Sequence, residues 1–284
     1  MQAIYTCQEA IQKCLNNRRF AIAHLMQEEK TMDMHIHDCY EIYYSISGGK
    51  QFLIDNTCYN VNPGDLFVIN NYESHCVSRV DASSHERIVL SIHPDYLKSL
   101  SSKETDLSQC FHDRERPSRC KLTLDQESRS RFLYLIHKIQ NLQGFGTDLM
   151  ENALFTELMV LINRYHGAGG EEAEEAYQYH AVVEKIVSYI NDHIHEKITL
   201  SILAQSMFLS QAYICRIFKA ETGTTINKYI TARRISIAKA RLSLGSSVAE
   251  ACGESGFNDY TNFVSLFTRM VGITPKQYAL HNAR

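Results

Sequence analysis

The sequence predicts an α+β protein, with short strands in its N-terminal part and helices in its C-terminal part. Two observations support this prediction. Between residues 41 and 92, apolar and aromatic runs of four to seven residues alternate with turn-forming residues, as in β-sheet proteins. From residue 126 onward, apolar residues recur at the i, i+3 and i+4 spacing of helices. A length of 284 residues exceeds one typical domain, so about two domains are expected.

The N-terminal region, residues 1–122, is predicted to be a β-barrel or jelly roll. Its strands are expected at residues 41–47, 51–54, 65–70, 76–80 and 87–92. Many short strands separated by glycine, proline and asparagine are typical of such sheets. Five polar residues of one parity are His35, His37, Glu41, Tyr43 and Ser45. Because side chains alternate between the two faces of a strand, a continuous strand path would place these five on the face toward the barrel interior.

A helical hairpin, residues 123–166, is predicted to follow the barrel. Two segments, 126–142 and 148–166, carry apolar residues at helical spacing, and two glycines interrupt the chain between them. The hairpin either packs on the barrel or forms the seam of a dimer. Residues 167–179 are rich in glycine and glutamate, a composition that disfavours packing and predicts a linker.

The C-terminal region, residues 180–284, contains one helical unit twice. Phe218 in the first copy corresponds to Phe267 in the second, 49 residues later. Each copy has the pattern of helix, tight turn, helix and glycine, with Ser210 as the expected N-cap in the first copy and Gly223 as its C-terminal stop. This pattern predicts two helix-turn-helix units, in which the second helix enters the DNA major groove.

The charge distribution separates a DNA-binding repeat from a helical repeat used only for packing. Residues 180–284 contain 12 Lys and Arg and 7 Asp and Glu, a net charge of +5, whereas the whole chain carries −3. Residues 1–179 therefore carry −8. A basic C-terminal third on an acidic protein favours contact between that third and phosphate groups.

Helix geometry identifies the side chains that face outward on the two reading helices. In the first unit they are Gln211, Ala212, Cys215, Arg216 and Lys219, and in the second Asn258, Tyr260, Thr261 and Ser265. Gln211 and Arg216 have hydrogen-bonding groups suited to base edges, while Lys219 is better placed for phosphate. The second set is almost neutral. For any single residue the alternative is a solvated helix face.

The C-terminal third resembles the DNA-binding domain of AraC-type bacterial transcription regulators. The residues that carry the resemblance are Leu200, Ala204, Ser210, Tyr213, Ile214, Arg216, Phe218, Lys219, Gly223, Tyr229, Ile230, Arg234, Ile235, Ala238, Leu242, Gly256, Phe257, Phe263, Phe267, Gly272, Thr274, Pro275 and Tyr278. The resemblance implies seven helices, with a central one near residues 226–244 that holds the reading helices about one DNA turn, roughly 34 Å, apart. It also implies a homodimer joined through the hairpin. Ser265 stands where the family usually has arginine.

A second resemblance, to the cupin motifs, concerns the barrel. The pattern His35-x-His37-x-x-x-Glu41 with Gly48 matches the first cupin signature, and His75 occupies the histidine position of the second. Asn70 and Tyr72 replace the usual proline and glycine of that second motif. The resemblance implies that the three histidines and the glutamate bind a divalent transition metal.

The alternative to metal binding is that these residues hydrogen-bond an organic effector. The expected effector site contains His35, His37, Glu41, Tyr43, His75 and Arg79.

The sequence therefore predicts a transcription regulator and not an enzyme: a cupin-like barrel that senses a small molecule or metal, and a tail that binds promoter DNA. The alternative is a metal-dependent cupin enzyme with a DNA-binding tail. No run of 18 apolar residues exists, so no membrane partner is expected. Nine cysteines without a CxxC pair, and an N-terminus unlike a signal peptide, predict a cytoplasmic protein. RNA polymerase is a further candidate partner.

Overall fold

The computed structural model describes residues 6–26, 34–48, 51–55, 57–78, 85–113, 120–167 and 181–282. The strands within these ranges are β1 (Phe20–Leu25), β2 (Tyr40–Ser45), β3 (Gln51–Ile54), β4 (Thr57–Asn60), β5 (Asp65–Ile69), β6 (His75–Ser78), β7 (Arg87–Ile92) and β8 (Lys121–Thr123). Three helices accompany them: α1 (Cys7–Asn17), α2 (Pro94–Leu100) and α3 (Gln109–His112). The predicted α+β class, with strands first and helices after them, is confirmed.

The strands form two antiparallel sheets. The larger has the order β1-β7-β2-β5-β8, and the smaller has the order β4-β3-β6. An isolated antiparallel bridge joins His35 to His75, with N···O distances of 3.0 and 3.1 Å, and brings the chain before β2 against the start of β6. This bridge places residues of the two cupin-like motifs side by side.

The two sheets face each other across a shared core. Tyr43 and Phe67 of the larger sheet pack with Phe52 of the smaller one, at ring-centroid distances of 4.8 Å and 5.1 Å from Phe52. All of β2 is buried, but its two parities face different cores: Tyr43 belongs to the core between the sheets, and Ile42 and Tyr44 belong to the cluster on the other face. The alternation expected from the sequence therefore holds, and Glu41 shares the inner parity of Tyr43.

The other face of the larger sheet packs on the helical hairpin, formed by α4 (Gln126–Gln140) and α5 (Thr147–Gly167). The ring of Tyr44 packs 4.8 Å from that of Phe132 of α4, and Phe20 of β1 stacks 4.4 Å from Phe155 of α5. One of the two expected roles of the hairpin, packing on the barrel, is thereby observed. Helix α5 includes Gly167, so the linker does not begin at residue 167 as predicted; the rest of the predicted linker lies outside the described residues.

The C-terminal region consists of α6 (Ala181–Asp192), α7 (Leu200–Ser206), α8 (Gln211–Thr222), α9 (Ile226–Ser243), α10 (Val248–Glu254), α11 (Tyr260–Val271) and α12 (Pro275–Asn282). Residues 181–282 thus form the seven helices that the resemblance implied. Helices α7 and α8 form the first helix-turn-helix, α10 and α11 form the second, and α9 joins them.

The reading helices begin and end where their capping residues predict. The Ser210 side chain accepts a hydrogen bond from the Tyr213 amide at the start of α8, and Asp259 caps α11 in the same way. Gly223 and Gly272 follow these helices in the left-handed conformation, with φ of 74° and 87°.

Helix α9 packs on both helix-turn-helix units and on the barrel. Tyr229 contacts Phe218 of α8 at 5.6 Å, and Ile235 shares a buried cluster with Phe263 of α11. Ile36, in the segment before β2, belongs to that same cluster. The two predicted domains therefore share apolar cores. Among the described residues, no helix is both long and apolar enough to cross a bilayer.

Candidate functional site

The two cupin-like motifs meet inside the barrel, where His35, His37, Glu41 and His75 form one cluster. Their ligand atoms all lie within 4.8 Å of one another. His37, Glu41 and His75 are buried, and His35 is half-buried. The four residues that the resemblance implies as metal ligands therefore lie together. We call them the histidine cluster.

Hydrogen bonds orient two of the three imidazoles. The His37 ring lies with Nδ1 2.9 Å from the Cys39 carbonyl oxygen, and His75 with Nδ1 3.0 Å from that of Glu73. A carbonyl oxygen only accepts, so in both rings Nδ1 carries the proton and donates it. In the neutral rings, Nε2 then has a free lone pair. Nε2 of His37 lies 3.1 Å from Glu41 Oε2, and Nε2 of His75 lies 3.8 Å from it.

This arrangement is the one that metal-binding histidines usually have, since their second ring nitrogen commonly donates to a carbonyl or carboxylate. Nε2 of His75 is buried and forms no hydrogen bond to the described residues. An unsatisfied buried polar atom is costly, and a bound cation would satisfy it. Ligand atoms about 2.1 Å from one ion lie roughly 3 to 4 Å from each other. The separations of His37 and His75 from Glu41 fit that range.

The charges within the cluster are strongly coupled. Burial opposes the charged form of His37, but contact with Cys39 and the hydrogen bond to Glu41 outweigh it and raise the pKa of His37 to about 9. Burial likewise disfavours the Glu41 carboxylate, yet His75 and His37 hold the pKa of Glu41 well below its ordinary value. Glu41 is therefore ionised, and the neighbouring imidazoles of His37 and His75 favour their protonated, positively charged form. A divalent cation would supply the same charge in place of protons.

Tyr43 shares the barrel interior with the cluster, but its hydroxyl belongs to a second polar group. It lies 2.5 Å from His85 Nε2. His85 is buried next to Arg87, whose guanidinium Nη1 donates to the His85 carbonyl oxygen at 3.2 Å. Within the described part of the chain, the hydrogen bond of the Tyr43 hydroxyl is thus to His85. Arg79, the remaining predicted effector residue, lies outside the described residues.

Burial of His85 makes the stability of the fold depend on pH. Burial, together with the charge of Arg87, lowers the pKa of His85 to about 4, whereas an unfolded histidine titrates near 6.5. The contribution is complete above pH 6.5 and is lost as the pH falls toward 4, because only the unfolded chain binds the proton readily. We expect His85→Gln to lose less free energy of unfolding than the parent between pH 7 and pH 4.5 in urea titrations. Equal losses would contradict the assignment.

The predicted reading residues lie on open surfaces. In α8, Gln211, Ala212, Arg216 and Lys219 are exposed and Cys215 is half-buried; at the second unit, Asn258, Tyr260, Thr261 and Ser265 are exposed. Each unit thus presents one continuous outward face. The guanidinium carbon of Arg216 lies 5.6 Å from the ring centroid of Tyr213, a cation–π contact.

Three functional candidates were missed at the sequence level. Arg269 lines the same shallow groove on α11 as Ser265, one helical turn further on, and i+4 spacing would have identified it. Asp38 and Lys239 form an ion pair between the barrel and α9. No sequence periodicity predicts that pair, because Lys239 would be expected at a solvated helix position.

Comparisons with known proteins match both halves of the chain. An AraC-like ligand binding domain matches residues 20–159, and a helix-turn-helix domain matches residues 203–280. The transcriptional activator RhaS of Escherichia fergusonii is 25% identical over 249 residues, covering 86% of each chain. YdeC of Bacillus subtilis, named as an uncharacterized helix-turn-helix regulator, is 25% identical over 256 residues, covering 88% of this chain and 87% of its own.

Among solved structures, ToxT from Vibrio cholerae aligns with 92% of this chain and 98% of its own, at 12% identity and a TM-score of 0.37. The match to the ligand-binding domain covers the barrel and the hairpin, and the match to the helix-turn-helix domain covers the C-terminal helices. The two curated relatives align across both parts, so all these matches indicate the same family. The chain therefore belongs to the AraC-type family of DNA-binding transcription regulators, whose N-terminal domain responds to an effector.

Proposed function

We propose that this regulator senses its signal at the histidine cluster, and that a divalent transition metal binds there through His35, His37, Glu41 and His75. The observation that supports the proposal most directly is the convergence of these four side chains, with two imidazoles oriented by backbone carbonyls. The bound metal would supply positive charge and would leave coordination positions open to water or to a small organic ligand.

Three imidazoles and one carboxylate constitute a donor set suited to Zn²⁺, Fe²⁺, Co²⁺, Ni²⁺ and Cu²⁺ and poorly suited to Ca²⁺ or Mg²⁺, which prefer oxygen ligands. The ionised Glu41 contributes one negative charge inside the barrel. Metal binding would also release the protons that the cluster holds, because histidine ligands must be neutral. An organic effector that hydrogen-bonds the same residues without metal is the alternative.

We propose that the chain acts as a regulator without catalytic activity. A metal-dependent cupin enzyme would need an acid or base near the metal ligands. Tyr43 faces the same interior as Glu41, and its hydroxyl is engaged with His85. The nine cysteines, all in described parts of the chain, form no disulfide, which suits the reducing cytoplasm where promoter DNA is found.

We further propose a homodimer joined through the hairpin. Four apolar side chains of α4 and α5 are exposed on it: Leu133, Tyr134, Leu149 and Met150. The opposite side of the hairpin is occupied by the larger sheet, so this face is available to a second copy of the chain. An exposed apolar face of this kind favours association.

Protein purified without chelator is expected to contain about one transition-metal ion per chain and to have the mass of a dimer. Elemental analysis would identify the ion, and native mass spectrometry would report the metal, any retained organic ligand and the oligomeric state together. A retained organic molecule without metal would support the alternative effector. A monomer at micromolar concentration would contradict the dimer.

DNA binding by the full-length chain is expected to weaken steeply with salt. The logarithm of the binding constant should fall linearly with the logarithm of salt concentration, by about 0.9 for each phosphate contacted. The probe is the DNA preceding its gene. Lys219→Ala should reduce the magnitude of this slope by about 0.9, the contribution of one phosphate contact. The matched control is Lys103→Ala, an exposed lysine of the N-terminal region, which should leave the slope unchanged. Salt-independent binding would contradict the assignment of the reading face.

A further inference from the structure

Helix α9 carries a buried lysine that packs against the barrel segments next to the histidine cluster. Lys239 is fully buried, and its ammonium group donates to the main-chain oxygens of His37, at 2.9 Å, and Asn71. It also lies 2.8 Å from Asp38 Oδ1. Burying an ammonium group is expensive unless it is paired, so these three oxygens hold Lys239 in one position. The residue whose carbonyl it holds, His37, is a member of the cluster.

A second charged contact of α9 connects to β6, the strand that carries His75. Arg233, two turns earlier on α9, lies 2.6 Å from Asp55 Oδ2. The second carboxylate oxygen of Asp55 accepts hydrogen bonds from the amide and hydroxyl of Ser74, at 2.8 and 3.0 Å. Ser74 directly precedes His75. Between the two contacts, the Ser236 hydroxyl donates to the Tyr72 carbonyl oxygen.

The two charged contacts therefore act on the same pair of chain segments that supplies the cluster. One segment carries His35 and His37, the other carries His75, and the bridge between His35 and His75 joins them. A ligand that shifts these imidazoles acts on main chain that Lys239 contacts directly and that Arg233 contacts through Asp55 and Ser74. Helix α9 in turn packs on both helix-turn-helix units, through Tyr229 and Ile235.

We propose that Lys239 and Arg233 form the contact through which occupancy of the histidine cluster controls DNA binding. This inference rests on the proposed function, in which the cluster is the sensing site. The contact couples the two halves of the protein in both directions: metal at the cluster changes the position of α9, and DNA bound by the two units changes the main chain of the cluster. Such reciprocity is a thermodynamic requirement for coupled binding sites.

The first test measures the coupling with Co²⁺ as the probe metal, in the full-length chain, on the DNA preceding its gene. Visible absorption reports Co²⁺ binding, and titration gives the Kd for DNA with and without Co²⁺. In the parent we expect Co²⁺ to change this Kd by about 5- to 150-fold. In Lys239→Met, which keeps the length of the side chain and removes its charge, we expect a change of less than about 2-fold while Co²⁺ remains bound.

The matched control is Lys228→Met, which removes a lysine from an exposed position of the same helix. In this control, the ratio of the Kd for DNA without Co²⁺ to that with Co²⁺ should equal the parental ratio. This holds even if its DNA affinity changes, because the ratio compares the same protein with and without metal. Arg233→Met is the second variant, should Lys239→Met fail to fold. The parental ratio in a folded Lys239→Met protein would overturn the proposal, as would a parent that binds both Co²⁺ and DNA without coupling.

The second test needs no metal and separates this inference from the proposed function. Amide hydrogen exchange of residues 35–39 and 74–76 is followed in the metal-free full-length chain, with and without DNA. DNA should alter the exchange rates there in the parent and in Lys228→Met, but not in Lys239→Met. A parent that binds no Co²⁺ would refute the metal site alone. A parent that binds DNA with unaltered exchange at these residues would overturn the coupling contact, whatever the effector is.

Discussion

His37→Ala is expected to lower the affinity of the full-length chain for Co²⁺ or Zn²⁺ by more than about 100-fold. Loss of an outer hydrogen-bonding partner of a metal ligand already costs roughly 10- to 100-fold, and His37 is proposed as a direct ligand. The effector response in a promoter reporter assay should disappear with it. DNA affinity of the metal-free protein should stay close to that of the parent, because Lys239 contacts the main-chain oxygen of residue 37, which alanine retains.

The control for this variant is His24→Ala. His24 lies on β1, and its exposed ring pairs with Glu86, away from the cluster. Its removal should leave both metal affinity and induction unchanged. A His37→Ala protein with parental induction would refute the histidine cluster as the sensing site, whereas loss of DNA affinity in its metal-free form would indicate a folding defect instead.

The histidine cluster could be predicted because strand alternation and a motif agree at it. Alternation placed Glu41 on the inner face of β2, and the resemblance to the cupin motifs supplied His35 and His37, which precede β2, and His75 from a distant position. Similarly, Ser210 and Gly223 mark the ends of α8 through interactions with neighbouring residues only. Features whose energetics are local can be read from the sequence.

Other parts of the fold depend on contacts that no local pattern encodes. The strand β4 (Thr57–Asn60) has mixed polarity and is stabilised by pairing with β3, and β8 (Lys121–Thr123) is too short to show alternation. Lys239 illustrates the same problem at the site. A lysine on a helix usually extends into solvent, and only the carbonyl oxygens and Asp38 of the barrel make its burial favourable.

The assignment of Tyr43 to the effector site shows where parity is insufficient. Tyr43 does face the interior with Glu41, as predicted. Its phenol is long, however, and the hydroxyl reaches His85 and not the cluster two residues away along the strand. Parity predicts the face of a sheet that a side chain occupies, while its partner is set by neighbouring strands and loops.

Arg216→Ala is expected to weaken binding to a specific operator by roughly 1 to 3 kcal/mol and to relax the preference at one base pair. Arg216 is exposed on α8, lies over the Tyr213 ring and has a guanidinium that can form two hydrogen bonds to a guanine edge. Removing it should lower specific affinity more than affinity for random DNA. Competition between operator variants and random duplex would measure both quantities. The slope of the logarithm of the binding constant against the logarithm of salt concentration would change by at most about 0.9, the value for one phosphate contact.

The second unit supplies the matched comparison. Ser265 occupies the outward face of α11, but its hydroxyl is short and accepts or donates at a single atom. Ser265→Ala should therefore change operator affinity much less than Arg216→Ala does. Arg269, which shares the groove with Ser265, is better suited to phosphate or to a base edge, so Arg269→Ala should have the larger effect within this unit. Equal losses from Arg216→Ala and Ser265→Ala would mean that both units read sequence alike, and the asymmetry inferred from their side chains would be wrong.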